Sequence, residues 1–208
     1  MIEITEILCV QKYVENLKAV IFDLDDTLYS EKDYVKSGFK SIANEYQQIT
    51  DMESKLWACF ENGGKAIDEV LATEGMLTDE NKKKCLKIYH FHKPTISLYP
   101  GVRDMLVSIK KRGIKLGLIT DGRPEGQHAK ITALQLDNLF DYIIITDELG
   151  GIEYRKPNIK AFVEMRNKMN CSYEEMVYIG DNIKKDFQGP NTLGIKSIYY
   201  KNSMGLYH

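Results

Sequence analysis

Several features are missing from this sequence, and each absence narrows its function. The sequence lacks the long apolar run that a membrane-spanning helix requires, and its first residues lack the positive segment and apolar stretch of a signal peptide. It also lacks a basic excess, because its 208 residues carry a formal net charge of -2. A chain without a strong positive field is poorly suited to bind nucleic acid or an anionic membrane surface. We therefore expect a cytoplasmic protein that binds neither.

Cysteine is also scarce. The four cysteines have neither the spacing of a metal site nor that of a disulfide framework, and they lie at Cys9, Cys59, Cys85 and Cys171. We expect reduced thiols, in keeping with a cytoplasmic location. Internal repeats and low-complexity linkers are absent as well. A chain of this length is sufficient for one main domain with a smaller domain appended to it.

One short stretch combines a buried strand with a group of acids. The apolar run over residues 19–22 is followed by Asp23, Asp25 and Asp26. Branched apolar residues without charge are typical of a buried strand, so we expect the strand to end at Asp23. Carboxylates this close repel one another, and a hard divalent cation, which prefers oxygen ligands, is the simplest reason to keep them together. The alternative is that these acids only cap a helix or form a turn.

The rest of the chain alternates between helix and strand patterns, apart from one insert. Apolar residues recur at helical spacing between residues 30 and 98, which predicts a small all-helical insert after the first strand. Later strand runs lie at 116–119, 142–145, 176–179 and 198–200. Their alternation with helical patterns predicts an α/β fold with a parallel sheet covered on both faces. A weak helical pattern before the first strand predicts a helical extension over residues 1–17.

Polar clusters follow the predicted strands or the loops that leave them. They are Asp23 with Asp25, Thr120-Asp121-Gly122, Lys156, and Asp181 with Asp186. In open parallel sheets, ligands bind beyond the carboxyl ends of the strands, so we expect these groups to converge on one rim. A set of carboxylates with one lysine and several exposed backbone N–H groups suits a metal ion together with a phosphoryl group.

The polar clusters resemble the four motifs of the haloacid dehalogenase superfamily. Phe22-Asp23-Leu24-Asp25-Asp26-Thr27-Leu28 is similar to the first motif and Ile119-Thr120-Asp121-Gly122 to the second. Lys156-Pro157 resembles the third motif, and Gly180-Asp181 with Asp186 resembles the fourth. The resemblance is specifically to members with a helical cap inserted after the first strand.

This resemblance implies a fold and a division of the chain. The fold would be a three-layer Rossmann-like core with a parallel sheet, and the inserted helices would form the cap. The core would cover residues 18–29 and 99–208, and the cap would cover residues 30–98. Residues 1–17 would remain outside both as the helical extension.

The resemblance also implies a role for each matched residue. Asp23 would be the nucleophile, Asp25 the general acid and base, and Lys156 the cation that binds the phosphoryl group. The turn Thr120-Asp121-Gly122 would bind the substrate, with Thr120 as a hydrogen-bond donor. Asp25 favours phosphoryl transfer over dehalogenation, because a departing alkoxide needs a proton and a halide does not.

The implied metal is Mg²⁺. Its ligands would be Asp23, the backbone carbonyl of Asp25 and Asp181, with Asp186 supporting the site nearby. Two alternatives remain open from the sequence. Asp186 could instead cap its helix, and Arg155 could share or replace the role of Lys156.

The resulting prediction is a Mg²⁺-dependent phosphatase of the haloacid dehalogenase type, which hydrolyses a small phosphomonoester through an aspartyl-phosphate intermediate. A sugar phosphate, a nucleotide or a small acid phosphate suits a site closed by a cap. A phosphomutase on a sugar phosphate would use the same motifs, and a non-catalytic binding protein could use the same fold. We expect a small phosphorylated metabolite as the partner, and a monomer or a homodimer.

Overall fold

The computed structural model describes residues 1–206 and contains, over these residues, a six-stranded sheet in which every strand is parallel to its neighbours. The strands are β1 (Ile2–Ile4), β2 (Ala19–Phe22), β3 (Lys115–Thr120), β4 (Tyr142–Ile145), β5 (Met176–Gly180) and β6 (Lys196–Tyr200). The α-helices are α1 (Glu31–Glu45), α2 (Met52–Glu61), α3 (Ala66–Thr73), α4 (Asp79–Phe91), α5 (Val102–Lys111), α6 (Pro124–Ala133), α7 (Lys160–Met169) and α8 (Gln188–Thr192).

The strand order in the sheet is β1-β6-β5-β2-β3-β4. The chain runs from β2 outward through β3 to β4 and then returns to the other side of β2 with β5 and β6. The order therefore reverses at β2, and ligands of open α/β sheets bind beside such a reversal. All four residues of β2 and all five of β5 are buried, as expected for central parallel strands.

The sheet is covered by helices whose apolar residues are buried against it. On α7, Phe162, Met165 and Met169 pack in one cluster with strand residues such as Ile21 and Tyr178. Burial of each large apolar side chain contributes about 1.5–3 kcal/mol. The predicted α/β class, with a three-layer Rossmann-like core, is confirmed. Among the described residues, no helix combines the length and the hydropathy that crossing a membrane requires.

The prediction of a helical extension over residues 1–17 was wrong. Residues Ile2–Ile4 form β1, which pairs with β6 at the edge of the sheet, and a short 3-10 helix follows over Ile7–Lys12. Ile4, Ile7 and Val10 are buried in spacings that resemble a helical face. A three-residue edge strand is too short to give the alternating pattern that distinguishes a strand from a helix.

The chain divides into two compact units. The sheet unit consists of Met1–Glu31 and the chain from Ser97 onward, and the helical unit consists of Lys32–Ile96. The sequence placed the division at residues 29–30 and 98–99, and it assigned residues 207 and 208 to the core, although these two lie outside the described residues.

The helical unit has a hydrophobic core of its own. Val35, Phe39 and Ile42 on α1 pack with Leu56 on α2 and with Leu71 on α3 in one buried cluster. The fourth helix begins where the sequence indicates a cap, because the Thr78 hydroxyl accepts a hydrogen bond from the Asn81 N–H at 3.1 Å. Such a cap contributes about 1 kcal/mol.

Candidate active site

The acidic loop leaves the sheet at the end of β2. The backbone N–H of Asp23 still donates to the Ile179 carbonyl at 2.8 Å, which holds Asp23 in register beside β5. Asp26 then has a left-handed backbone with φ of 52°. Its carboxylate accepts hydrogen bonds from the Glu31 N–H at 2.9 Å and the Leu206 N–H at 2.7 Å. These contacts fix the shape of the loop that displays Asp23 and Asp25.

Three carboxylates from two strand ends meet in the interior. Asp23 follows β2, while Asp181 and Asp186 follow β5, and each of the three offers an oxygen within 4.8 Å of the others. All three residues are buried. The sequence prediction that these acids converge on one rim therefore agrees with their positions.

Lys156 is the cation within this group. Its Nζ lies 2.7 Å from Asp23 Oδ1 and 2.8 Å from Asp186 Oδ1, and it donates to the Tyr178 hydroxyl at 2.9 Å. The side chain of Lys156 has no exposed area. Burial lowers its pKa, but the attraction of Asp186 and Asp23 is larger, and the net pKa is well above the ordinary value. The ammonium therefore stays protonated between two carboxylates.

Burial also changes the pKa values of two of the acids. It raises the pKa of Asp181 to about 8, with further contributions from the charges of Asp23 and Asp186. It also raises the pKa of Asp23 to about 6, because burial and the nearby Asp186 outweigh the attraction of Lys156. These acids hold their protons more tightly than exposed carboxylates do, so the group is short of positive charge.

The donor set fits a divalent cation. When ionised, the three carboxylates outnumber the ammonium groups of Lys156 and the nearby Lys185, so the group still needs positive charge. Hard cations such as Mg²⁺ take carboxylate and carbonyl oxygens as ligands. Asp181 accepts a hydrogen bond at Oδ1 from the Thr27 hydroxyl at 3.2 Å.

Asp186 is held more firmly than the other two acids. Its Oδ1 accepts from Lys156 and, at 3.2 Å, from the Tyr178 hydroxyl, while Oδ2 accepts from the Asn182 N–H at 2.9 Å. Gly180 makes room for it, since a Cβ there would lie 2.5 Å from Asp186 Oδ2. Of the two interpretations of Asp186 from the sequence, the helix cap was wrong, because the N-cap of α8 is Phe187 and the N–H that Asp186 binds belongs to Asn182, four residues earlier. Its place in the carboxylate group is compatible with the other interpretation, support of a metal site.

The side chain of Asp25 has a different environment. Its Oδ1 accepts from Lys130 Nζ at 2.7 Å and from the Tyr29 hydroxyl, and its Oδ2 accepts from Gln127 Nε2 at 3.2 Å. Burial acts to raise its pKa, but Lys130 and the other donors prevail, and the pKa is lowered. Its carboxylate does not belong to the group formed by Asp23, Asp181 and Asp186.

The second motif contains a hydroxyl without a hydrogen-bond partner among the described residues and an acid that holds a neighbouring loop. The Thr120 hydroxyl is fully buried and has no hydrogen-bond partner among the described residues. A buried hydroxyl without a partner is costly, so it suits a ligand oxygen. In contrast, Asp121 accepts at Oδ1 from the Thr146 hydroxyl at 2.9 Å and from the Lys156 N–H at 3.0 Å. Its carboxylate therefore holds the loop that carries Lys156.

Gly122 completes the turn after β3. Its φ of 142° lies in the region that favours glycine, and a Cβ there would lie 2.5 Å from Gln127 Nε2. Any other residue would therefore displace Gln127, which donates to the Asp121 carbonyl at 2.6 Å and to Asp25. Glycine at this position therefore keeps Gln127 in contact with both the turn and Asp25.

Arg155 does not join the carboxylate group. Its guanidinium forms a bidentate pair with Asp147, with both N–O distances at 2.7 Å. The adjacent Lys156 is the residue that reaches Asp23. The geometry thus favours the assignment of the cation role to Lys156.

Sequence reasoning missed several polar residues that support the site. They are Thr27, Tyr29, Gln127, Lys130, Tyr178, Lys185 and Asn202. One signal was available for two of them. Gln127 and Lys130 occupy buried positions on α6 together with Ile131, so polar residues stand where apolar ones would be expected.

The sheet order, the carboxylate group and the buried lysine define an α/β protein with a candidate site for a metal ion and an anion at the strand ends. The chain belongs to the haloacid dehalogenase-like hydrolase family, which matches residues 20–200. The predicted family membership is confirmed.

This chain is similar in sequence to two phosphatases and in fold to one solved structure. Glyceraldehyde 3-phosphate phosphatases from Methanothermobacter thermautotrophicus and Methanocaldococcus jannaschii are 28% and 29% identical to this chain. The matches cover 90% and 88% of this chain and 87% and 84% of those proteins. A HAD hydrolase from Bacillus subtilis, whose crystal structure was determined bound to magnesium, has a TM-score of 0.65 at 20% identity. That match covers 89% of this chain and 87% of the other, and it shows similarity of fold.

Proposed function

We propose that this chain is a phosphatase that hydrolyses a small phosphomonoester with the help of Mg²⁺, through an aspartyl phosphate on Asp23. The observation that carries the proposal is the contact of Lys156 with both Asp23 and Asp186 beside Asp181. A cation between an acid nucleophile and a metal-binding group is what attack on an anionic phosphate requires, since the two anions would otherwise repel.

The first step forms a bond from Asp23 to phosphorus and breaks the bond from phosphorus to the ester oxygen. Asp25 gives a proton to that departing oxygen. Its pKa is lowered in the free protein, and the negative charge of the bound phosphate acts in the opposite direction and favours the protonated form. The buried Thr120 hydroxyl donates to a phosphoryl oxygen, and Lys156 neutralises charge beside it. When bound, Mg²⁺ supplies further positive charge that lowers the repulsion between the two anions.

The second step returns the enzyme to its starting state. Asp25, now ionised, takes a proton from a water molecule that attacks the aspartyl phosphate. Inorganic phosphate leaves, and the Asp23 carboxylate is regenerated. Two steps with a covalent intermediate replace one difficult displacement.

The relatives suggest where the search for a substrate should begin. Since two of them are glyceraldehyde 3-phosphate phosphatases and cover most of this chain, a small sugar phosphate is the first class to test. A cytoplasmic location, a monomeric or homodimeric state and the use of Mg²⁺ belong to the same proposal.

The test is a phosphate-release assay on purified protein with glyceraldehyde 3-phosphate, other sugar phosphates, nucleotides and small acid phosphates. We expect release of inorganic phosphate from at least one of them with Mg²⁺, and its loss after chelation. Isomerisation of a sugar phosphate without release would indicate a mutase instead. A lack of either activity across the panel would contradict the proposal and favour a non-catalytic binding protein.

A further inference from the structure

We propose that Lys130, together with Tyr29 and Gln127, is a positioning residue that fixes the Asp25 carboxylate in one orientation for proton transfer. The proposal rests on the proposed function, in which Asp25 is the general acid and base. It assigns a task to three residues that lie outside the four motifs.

The contacts of Asp25 are unequal at its two oxygens. Oδ1 receives both strong donors, Lys130 Nζ at 2.7 Å and the Tyr29 hydroxyl, whereas the hydrogen bond that residues 1–206 make to Oδ2 comes from Gln127 Nε2 at 3.2 Å. A charge-assisted bond is roughly twice as strong as a neutral one. Oδ1 is therefore anchored, and Oδ2 is the oxygen with capacity left for a proton.

Burial makes these contacts firm. The side chain of Lys130 is 6% exposed and that of Asp25 is 17% exposed, while Tyr29 is fully buried. Burial and the charge of Asp25 raise the pKa of the Tyr29 hydroxyl well above its ordinary value, so it remains a donor. Water competes weakly for such bonds, and a long side chain such as lysine keeps one position only where its partner is held as well.

One helix delivers both side-chain donors from outside the acidic loop. Gln127 and Lys130 are three residues apart on α6, so they lie on the same face of the helix. The helix begins at Pro124, directly after the turn of the second motif. Gln127 also donates to the Asp121 carbonyl at 2.6 Å, so the face of α6 that contacts Asp25 is tied to that turn. The helix thus couples the acid of the first motif to the phosphoryl-binding turn of the second.

Orientation matters because proton transfer requires the two oxygens to approach within about 2.6–3.2 Å. A misplacement on the order of 1 Å can lower a rate by about a hundredfold. The competing explanation is that Lys130 and Asp25 form an ion pair that only stabilises the fold. The two explanations differ in whether the effect of Lys130 depends on the acid function of Asp25.

The experiment is a double-mutant cycle of phosphatase turnover with Lys130→Met and Asp25→Asn, each assayed alone and combined, well below the melting midpoint of every variant. We expect Lys130→Met to lower kcat by about 10–100-fold in the wild-type background, with a smaller change in KM. In the Asp25→Asn background the same substitution should change kcat by less than about twofold, because no acid remains to be positioned. Lys130→Arg should recover part of the activity, and Lys111→Met, an exposed lysine on α5, serves as the control.

An equal loss in both backgrounds would overturn the proposal and leave Lys130 a structural residue. Crystal structures of the wild type and of Lys130→Met give a readout independent of turnover. We expect one Asp25 side-chain conformation in the former and a shifted or divided one in the latter, and an unchanged conformation would also overturn the proposal. If Lys130→Met does not fold, Gln127→Leu takes its place in the same cycle and the same comparison. Failure of the proposed function is separate, because it would appear as an inactive wild type.

Discussion

The Thr27 hydroxyl donates to Asp181 Oδ1 at 3.2 Å. The loop after β2, which carries the proposed nucleophile, therefore also holds an acid that follows the neighbouring strand β5. Both residues are buried. The bond spans 154 residues of sequence and orients an acid whose pKa is raised to about 8, chiefly by burial. Replacement of a residue that hydrogen-bonds to a metal ligand typically lowers metal affinity by about 10–100-fold.

Replacement of Thr27 by valine should therefore weaken Mg²⁺ binding. Valine preserves the shape but removes the donor, and we expect the apparent dissociation constant for Mg²⁺ to rise by about 10–100-fold. Titration of phosphatase activity, or of the melting temperature, against Mg²⁺ measures the change. Thr27→Ser, which retains the hydroxyl, is the matched control. Equal Mg²⁺ affinity in the valine and serine variants would contradict this role.

Replacement of Asp23 by asparagine should abolish turnover while leaving the fold intact. The amide is similar in size but cannot form the aspartyl phosphate, and we expect kcat to fall by at least about a thousandfold. Phosphate release measures the loss, and the melting temperature and Mg²⁺ binding show whether the rest of the site survives. Asp51→Asn, at an exposed position before α2, is the control. Wild-type turnover in Asp23→Asn would refute the nucleophile assignment.

Mg²⁺ should stabilise this protein more at alkaline than at acidic pH. The native pKa values of Asp23 and Asp181 are raised to about 6 and about 8 from an ordinary value of 3.8. From pH 3.8 up to the raised native pKa of each acid, the native state retains a proton that the unfolded chain releases. The free energy of unfolding of the metal-free protein therefore falls as pH rises through this range. A cation needs the ionised acids, so its binding strengthens over the same range.

Melting temperatures measured with and without Mg²⁺ from pH 5 to pH 8.5 test this dependence. The rise in melting temperature that Mg²⁺ causes should grow with pH. Asp181→Asn should reduce, without abolishing, the pH dependence of the metal-free protein, since it removes one of two groups whose pKa is raised to about 8, the other being Glu31. An increment that is the same at every pH would disprove the account.

Replacement of Gly180 by alanine should damage the site through Asp186. The new methyl group would lie 2.5 Å from Oδ2 and 2.8 Å from Cγ of an acid that is hydrogen-bonded on both oxygens. We expect a stability loss of about 1–3 kcal/mol and a fall in kcat of about 10–100-fold. Urea denaturation and phosphate release measure the two effects.

Gly117→Ala on β3 is the control for this substitution. Its methyl group would meet the flexible ends of Met169 at 2.8 Å and Met165 at 2.9 Å, and neither methionine contacts the carboxylates through a hydrogen bond. Similar kinetic losses in the two variants would mean that Asp186 is not the cause.

The sequence was sufficient to predict the parts of the fold that have long or strongly patterned segments. The predicted strand at residues 142–145 coincides with β4, and the predicted end of β2 at Asp23 agrees with the structure. Thr78, a residue type preferred at N-caps, caps α4. These features depend on local residue patterns, which are visible without any knowledge of tertiary contacts.

Other features depend on partners far along the chain and could not be derived from local patterns. β1 is a strand only because β6 lies beside it, and its three residues carry no period of their own. Likewise, Lys130 reaches Asp25 across 105 residues, and Asn202 donates to the Asp26 carbonyl across 176 residues. The motifs indicated which acids matter, but they gave no information on which neighbours hold them.

The separate hydrophobic cores of the two units have a consequence for how such a protein changes over time. The proposed catalytic side chains all belong to the sheet unit, whereas the buried cluster of the helical unit is formed by α1 to α4 and adjoining residues. Substitutions among the residues of one cluster can be compensated by other residues of the same cluster. A lineage can therefore vary the interior of one unit while the residues of the other are inherited unchanged.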